Sequence, residues 1–282
     1  MEAHVFAVVL LAALFHATWN AFVKVDGDRL LFFAVMLTAG GLAALATLPF
    51  LPLPARESWP YILLSVLVHQ GYSAFLLLAY RYGDLSHVYP LARGSAPLIV
   101  ALVSVTVIGE ALSPMGLSAV AVIGLGIMSL ALTRDAQGLR DPWSVLCALA
   151  TGGFIAGYTV IDGIGARAAG NAHAYAAWML GLEWIPVAAF AFWIRRRSAG
   201  PHLRRIWKRA SLLGVMGLIA YWAVIWAMTV APIALVAALR ETSIVMVVIF
   251  GVVFLKERLS LVRLAATMAT LIGTVMLKLS RP

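Results

Sequence analysis

One cysteine, Cys147, stands in 282 residues. A lone thiol excludes an intrachain disulfide and a cysteine metal cluster. Charge is scarce too. Asp, Glu, Lys and Arg make up 12% of the chain, against roughly 25% in an average soluble domain. No polar stretch is long enough to form a domain, and the longest polar link runs only from Arg195 to Arg209. Motifs that carry chemistry are missing as well. There is no His-Glu-x-x-His zinc site and no Walker phosphate loop. Gly94-Ser95-Ala96 is not a Gly-x-Ser-x-Gly elbow. Ile161-Asp162-Gly163 lacks the Gly-x-Gly-Asp context of an aspartyl intramembrane protease, and no selectivity-filter loop is present. These absences argue against a zinc protease, a serine hydrolase, an ATP-driven pump and a channel. Neither enzymatic activity nor a cofactor or metal is expected.

What is present is apolar sequence. The hydrophobic set reaches 63% and the mean hydropathy is +0.96. A helix needs about 20 apolar residues to cross a bilayer. Continuous apolar runs fall at about 3–23, 30–51, 59–80, 87–109, 115–133, 143–162, 172–194, 210–230, 233–254 and 260–279. They are too long and unbroken for barrel strands, which alternate over about ten residues. The expected fold is therefore an all-α integral membrane protein of ten transmembrane helices, forming one domain over residues 1–282. Met1-Glu2-Ala3-His4 leads straight into the first run without a positive n-region, so that run reads as a retained span.

The two halves echo each other. A single offset lays Arg93 on Arg240, Glu110-Ala111-Leu112-Ser113 on Glu257-Arg258-Leu259-Ser260, and Gly126 on Gly273. A weaker echo sets Phe15–Asn20 over Phe154–Thr159. The copies cover about 1–136 and 141–282. Five spans is an odd number, so the second copy enters the membrane from the opposite side, giving inverted repeats around a central cavity. Charge agrees with this. The formal net charge is +9, and fifteen of the 21 Lys and Arg fall in or beside the loops after spans 1, 3, 5, 7 and 9. The positive-inside rule puts those loops in the cytoplasm and both termini outside. It also removes the reason to read the basic excess as nucleic-acid binding.

Four charges sit well within spans: Arg93, Glu183, Arg240 and Glu241. Each costs a few kcal/mol at mid-membrane, so each should face a cavity or a partner. Arg240 and Glu241, with Ser243, are candidates for binding solute. Arg93 and Glu183 read as structural or gating groups. Glu110 and Glu257, at tight Glu-x-Leu-Ser hairpins, read as capping groups, with Ser113 and Ser260 capping the helices that follow. Span three places His69, Tyr72, Ser73 and Tyr80 on one face, with Gln70 beside them. Lipid cannot satisfy such a stripe, so it should look inward. Trp19, Asn20, Tyr89, Tyr158, Trp178, Tyr221 and Trp222 are the further candidates for a cavity lined by spans 1, 3, 4, 6, 8 and 9. Trp59, Tyr61, Trp143, Trp193 and Trp207, at span ends, fit an interfacial belt.

Trp19-Asn20 with Lys24, the Glu110 and Glu257 hairpins, and Gly126 and Gly273 make the whole chain resemble the drug/metabolite transporter superfamily, in particular its EamA-type exporters. The chain departs from an exact repeat where Tyr158-Thr159 stands for Trp19-Asn20 and Leu271 for Gly124. The resemblance implies alternating access and export of small amphipathic metabolites, most of all amino acids, aromatic ones included. It implies a multi-pass protein of a bacterial-type inner membrane. The expected partners are an amino-acid-like solute and the lipid bilayer, with no nucleic acid, and the expected state is a monomer. A cationic drug exporter would use Glu183 or Glu241 as an unpaired carboxylate. A sugar-phosphate or nucleotide-sugar transporter would need more cavity cations than Arg93 and Arg240. An intramembrane enzyme or assembly protein is the remote alternative.

Overall fold

The computed structural model describes residues 1–25, 28–82, 85–132, 142–195, 199–246, 248–249 and 260–280. Every regular element among them is helical, with no strand. In chain order the helices are α1 (Ala3–Val25), α2 (Arg29–Thr47), α3 (Trp59–Tyr82), α4 (Leu85–Val103), α5 (Pro114–Met128), α6 (Pro142–Ala168), α7 (Ala172–Arg195), α8 (Ala199–Val230), α9 (Ile233–Arg240) and α10 (Leu261–Leu279). Among the described residues, seven stretches are long and apolar enough to cross a membrane: Leu30–Phe50, Tyr89–Ile108, Pro114–Ala131, Pro142–Ala168, Ala172–Arg195, His202–Val230 and Leu261–Leu279. In α1 the apolar stretch Ala3–Trp19 is shorter.

Local chemistry sets several boundaries. The Asp28 carboxylate accepts from the Leu31 amide and starts α2. Ser113 accepts from the Gly116 amide, with Pro114 at the first helical position of α5. Ser260 accepts from the Arg263 amide at the start of α10. Each cap satisfies an amide that has no partner inside its own helix. α4 runs on into a π-turn, Ser104–Ile108, and ends at Gly109 with φ of 76°, a conformation in which a β-carbon is strained.

The side chains are distributed as lipid demands. Leu67, Leu212 and Val107 project outward, while the helix contacts are made by alanines such as Ala13, Ala17, Ala44, Ala174 and Ala234, all fully buried. Lipid tails are as apolar as leucine, so close backbone approach rather than apolar burial drives the association. α2 and α8 show the limit of that approach: a β-carbon on Gly214 would lie 2.1 Å from the Met36 carbonyl oxygen. Gly214→Ala is expected to destabilise the fold by about 1–3 kcal/mol, as overpacking does, seen as a lower unfolding midpoint in detergent. An unchanged midpoint would contradict this contact. In the pairing of helices, α3 packs on α6 and α1 on α8. α4 packs on α6 and α1 on α9, while α2 lies on α7 and α5 on α10.

Three boundaries differ from the sequence reading. The link Arg195–Arg209 is not a loop throughout, because residues 199–209 form the first turns of α8. The reason is periodicity: Leu203, Ile206, Ala210 and Leu213 recur at helical spacing and join Leu31, Phe32, Val35 and Met36 in one apolar cluster. Span six does not stop at residue 162 but continues to Ala168, which places Asp162 inside α6. Span nine is not continuous: α9 ends at Arg240, Glu241 and Thr242 form a turn, and residues 243–246 are helical again.

Candidate functional site

α1, α2, α3, α4, α6, α7, α8 and α9 enclose one cavity. It leaves about 140 Å³ for the centre of a water-sized sphere, roughly ten times what one water requires. Two of these walls, α2 and α7, go beyond the six spans expected. α2 contributes Phe33, Gly40 and Gly41, and the Trp184 ring of α7 lies against Gly41.

Of the sequence candidates, Trp19, His69, Tyr72, Tyr158, Tyr221 and Arg240 line the cavity. So do Arg93 and Glu183, which had been read as structural. The aromatic rings form a connected set. His69 stacks on Tyr158 with centroids 4.0 Å apart, while Tyr72 and Tyr221 meet Tyr158 edge-on at 5.9 and 6.0 Å. The Arg240 guanidinium lies over the Tyr221 and Tyr158 rings at 5.6 and 5.9 Å, and donates to the Tyr158 hydroxyl at 3.3 Å. It is 4% exposed, and no carboxylate among the described residues ion-pairs with it. His69 Nε2 lies 3.9 Å from Glu183 Oε1. His69 Nδ1 meets the Ser65 carbonyl oxygen at 2.9 Å. A carbonyl only accepts, so Nδ1 carries the proton and Nε2 is the nitrogen that faces Glu183.

Arg93 and Glu241 neutralise each other. Their Nε–Oε2 distance is 2.9 Å, both are buried, and an Arg93 NH2 also reaches the Ser243 hydroxyl at 3.5 Å. Tyr89 stands off the cavity, its ring 5.9 Å from the Arg93 guanidinium. The broken helix accounts for this arrangement. Arg240 and Glu241 are neighbours in sequence, but α9 ends between them, so the two charges serve different partners.

The remaining candidates lie elsewhere. Ser73 donates back to the His69 carbonyl, a bond within its own helix. Gln70 donates to the carbonyls of Val66 and Glu183, tying α3 to α7 just before Pro186. Pro186 deprives the neighbouring Leu182 carbonyl of its helix donor. Trp178 packs edge-on against Trp59 at 5.0 Å, in the core rather than the cavity. Trp222 donates to His173 Nδ1 at 2.8 Å. The side chains of Asn20 and Tyr80, and Glu257 altogether, lie outside the described residues.

Glu110 caps a helix of the other half of the chain. Both its oxygens accept from the Ile233 amide, at 3.1 and 3.0 Å, where α9 begins behind Pro232. Arg167 completes the knot, reaching Glu110 at 2.6 Å and the carbonyls of Met228 and Ala231 at 2.8 and 3.0 Å. One arginine thus joins the ends of α6, α8 and the α4–α5 hairpin at the helix that carries Arg240.

Residues 142–279 match the model of the EamA-like transporter family. That family is part of the drug/metabolite transporter superfamily, and the match spans the second half of the chain. EamA-like proteins are membrane transporters of small solutes. A solved crystal structure 18% identical in sequence superposes with a TM-score of 0.78 over 99% of both chains. At that identity the likeness concerns the fold alone. The comparison with curated proteins finds no match. The sequence reading missed three groups. His16 and Trp184 line the cavity. Asp162 lies behind it and accepts from the Tyr221 hydroxyl at 2.6 Å. His16 had a signal in its helical spacing from Trp19, whose ring it meets edge-on at 4.9 Å. Asp162 had none, since its burial follows from the length of α6.

Proposed function

We propose that the protein is a secondary transporter that exports small amphipathic metabolites, above all amino acids, aromatic ones included. The observation that carries this reading is the division of charge across an aromatic cavity. Arg240 is a buried cation without a carboxylate partner among the described residues, and His69, stacked on the Tyr158 ring, brings Glu183 to the same cavity. A solute carboxylate would answer Arg240, its ammonium would answer Glu183, and its side chain would meet Trp19, Tyr72 and Tyr221. A buried, uncompensated charge is costly, so Arg240 favours an anionic group beside it. Arg93 is already neutralised by Glu241, which argues for one carboxylate rather than a phosphate.

Alternating access would come from two inverted five-helix repeats, about 1–136 and 141–282, in one ten-span domain. The packing supports this. Exchange α1 with α6, α2 with α7, α3 with α8, α4 with α9 and α5 with α10, and the pairs α3–α6 and α4–α6 become α8–α1 and α9–α1, which also occur. At the α5–α10 seam, a β-carbon on Gly126 would face the Ala266 carbonyl, and one on Gly273 would face the Ala119 carbonyl. The same offset relates both pairs, and such reciprocity is what a two-fold axis imposes. Loop charge favours a bacterial-type inner membrane with both termini outside. The reading takes the protein as a monomer.

Purified protein in liposomes, offered labelled amino acids, organic cations and sugar phosphates, tests the proposal. Movement of amino acids, strongest for those with large apolar side chains, is the expected result. Movement of cations or phosphates with no amino acid carried would refute it.

A further inference from the structure

Asp162 has no place in the solute reading, yet its surroundings are unusual. It lies within α6, in one of the apolar stretches long enough to span a membrane, and its exposure is 0%. Among the described residues no basic nitrogen ion-pairs with it. Its hydrogen bonds come from hydroxyls instead, those of Ser65, Tyr175 and Tyr221. Tyr221 donates to one oxygen at 2.6 Å, and Tyr175 donates to the other at 3.0 Å. A buried carboxylate without a cation is costly in lipid and, where it occurs, marks an ion or proton path. A metal cation fits poorly here, because the phenols spend their hydrogens on the carboxylate and no group of His, Cys, Asp or Glu among the described residues could hold one.

The second observation is that one of these donors reaches the cavity. Tyr221 lines it, carries the Arg240 guanidinium over its ring, and meets the His69 ring edge-on at 5.9 Å. Asp162 is thus sealed from water but one hydroxyl away from the cavity. The groups that face it are known from every helix around it. Ser65 and His69 come from α3, Tyr175 and Glu183 from α7, Tyr221 from α8, and Arg240 from α9 beyond the Tyr221 ring. On α4, Arg93 is held by Glu241. The His69 imidazole thus interacts with both carboxylates, Asp162 and Glu183.

We propose that Asp162 is a proton-binding site, loaded and unloaded through Tyr221, that couples the transport cycle to a proton gradient. On loading, Tyr221 passes its hydroxyl proton to the carboxylate and takes one from the cavity. One proton enters and the phenol is restored. The charge of Asp162 disappears, and with it the anion that Tyr175 and Tyr221 hold in place between α6, α7 and α8. Solute beside Arg240 and a proton on Asp162 share Tyr221, which gives a physical link between the two occupancies.

The inference rests on the chain being a transporter and not on amino acids being its solute, so the decisive measurement uses no solute. Infrared difference spectra of reconstituted full-length protein, alkaline against acidic buffer, should contain a carboxyl C=O band that is missing in Asp162→Asn. The same spectrum in both proteins overturns the proposal. With labelled phenylalanine as probe, Asp162→Asn should keep counterflow exchange and lose accumulation driven by a pH gradient, and wild-type accumulation would likewise overturn it. Should Asp162→Asn not fold, Tyr221→Phe keeps the carboxylate and removes one donor. Its carboxyl band should then titrate at a proton concentration displaced by about tenfold or more, the worth of one hydrogen bond to a charged group. An undisplaced titration would count against the proposal. If phenylalanine is not carried at all, the solute assignment falls while the infrared result still decides the proton site.

Discussion

Glu241→Ala is expected to cost about 3–5 kcal/mol of stability, the range for breaking a buried ion pair from one side. Arg93 would keep its charge, at 3% exposure, with its 2.9 Å partner gone. The Ser243 hydroxyl at 3.5 Å and the Tyr89 ring at 5.9 Å are weak substitutes for a carboxylate. The pair also joins α4 to the turn after α9, so its loss frees the segment that carries Arg240. Removing both partners should be much milder. Arg93→Met with Glu241→Leu replaces two desolvated charges by side chains of similar size, and such exchanges are often neutral or stabilising. Unfolding in detergent, read for the single and double variants as a cycle, checks this. A single variant that loses less than about 1 kcal/mol would mean that water reaches the pair and screens it.

Arg240→Gln is expected to weaken solute binding by about a hundredfold, which lies within the cost of truncating one member of a buried charge pair. Its effect on stability should be smaller than that of Glu241→Ala. The reason is that Arg240 lies over two tyrosine rings and donates to one of them, with no carboxylate ion-paired among the described residues. Binding to purified protein separates the roles. Wild type should prefer phenylalanine to its decarboxylated amine, and Arg240→Gln should bind the two about equally. Arg240→Lys should rescue only in part, since an ammonium cannot reproduce the planar fork or its stacking on Tyr158 and Tyr221. If the variant still prefers the carboxylate, another group binds it.

Much of the site could be read from side-chain spacing. His69 and Tyr72 lie on one helical face, and both line the cavity. Trp19, Tyr158 and Tyr221 were found by the same reasoning, that an aromatic with a polar edge inside an apolar run turns inward. The reasoning failed for Trp178 and Trp222, which satisfy themselves on Trp59 and His173. It also failed for Ser73 and Gln70, whose polar atoms bond to backbone carbonyls. Periodicity tells which face is polar but not whether a bonding partner already sits there. Asp162 was passed over because an apolar run appears to end at the first charge, although α6 continues past it to Ala168. The Arg195–Arg209 link failed in the opposite sense: its many charges hid the apolar stripe of Leu203, Ile206 and Ala210.

The sequence by itself determined an all-helical, multi-pass membrane protein whose second half matches the EamA-like transporter family, and which few charges lie in its apolar spans. Those conclusions hold for any arrangement of the helices. The cost of placing backbone and charge in lipid is paid residue by residue, and caps such as Ser113 and Ser260 act within one turn. What only the tertiary structure decided is how the charges divide. Arg93 and Arg240 occupy matching places in the two halves, and Glu241 is adjacent to one of them, yet it pairs with the other. An ion pair needs atoms within a few ångströms, and the break after α9 brings Glu241 to Arg93 while leaving Arg240 over the rings of Tyr158 and Tyr221. That division turned two matching arginines into one that is ion-paired and one that lies over tyrosine rings at the cavity.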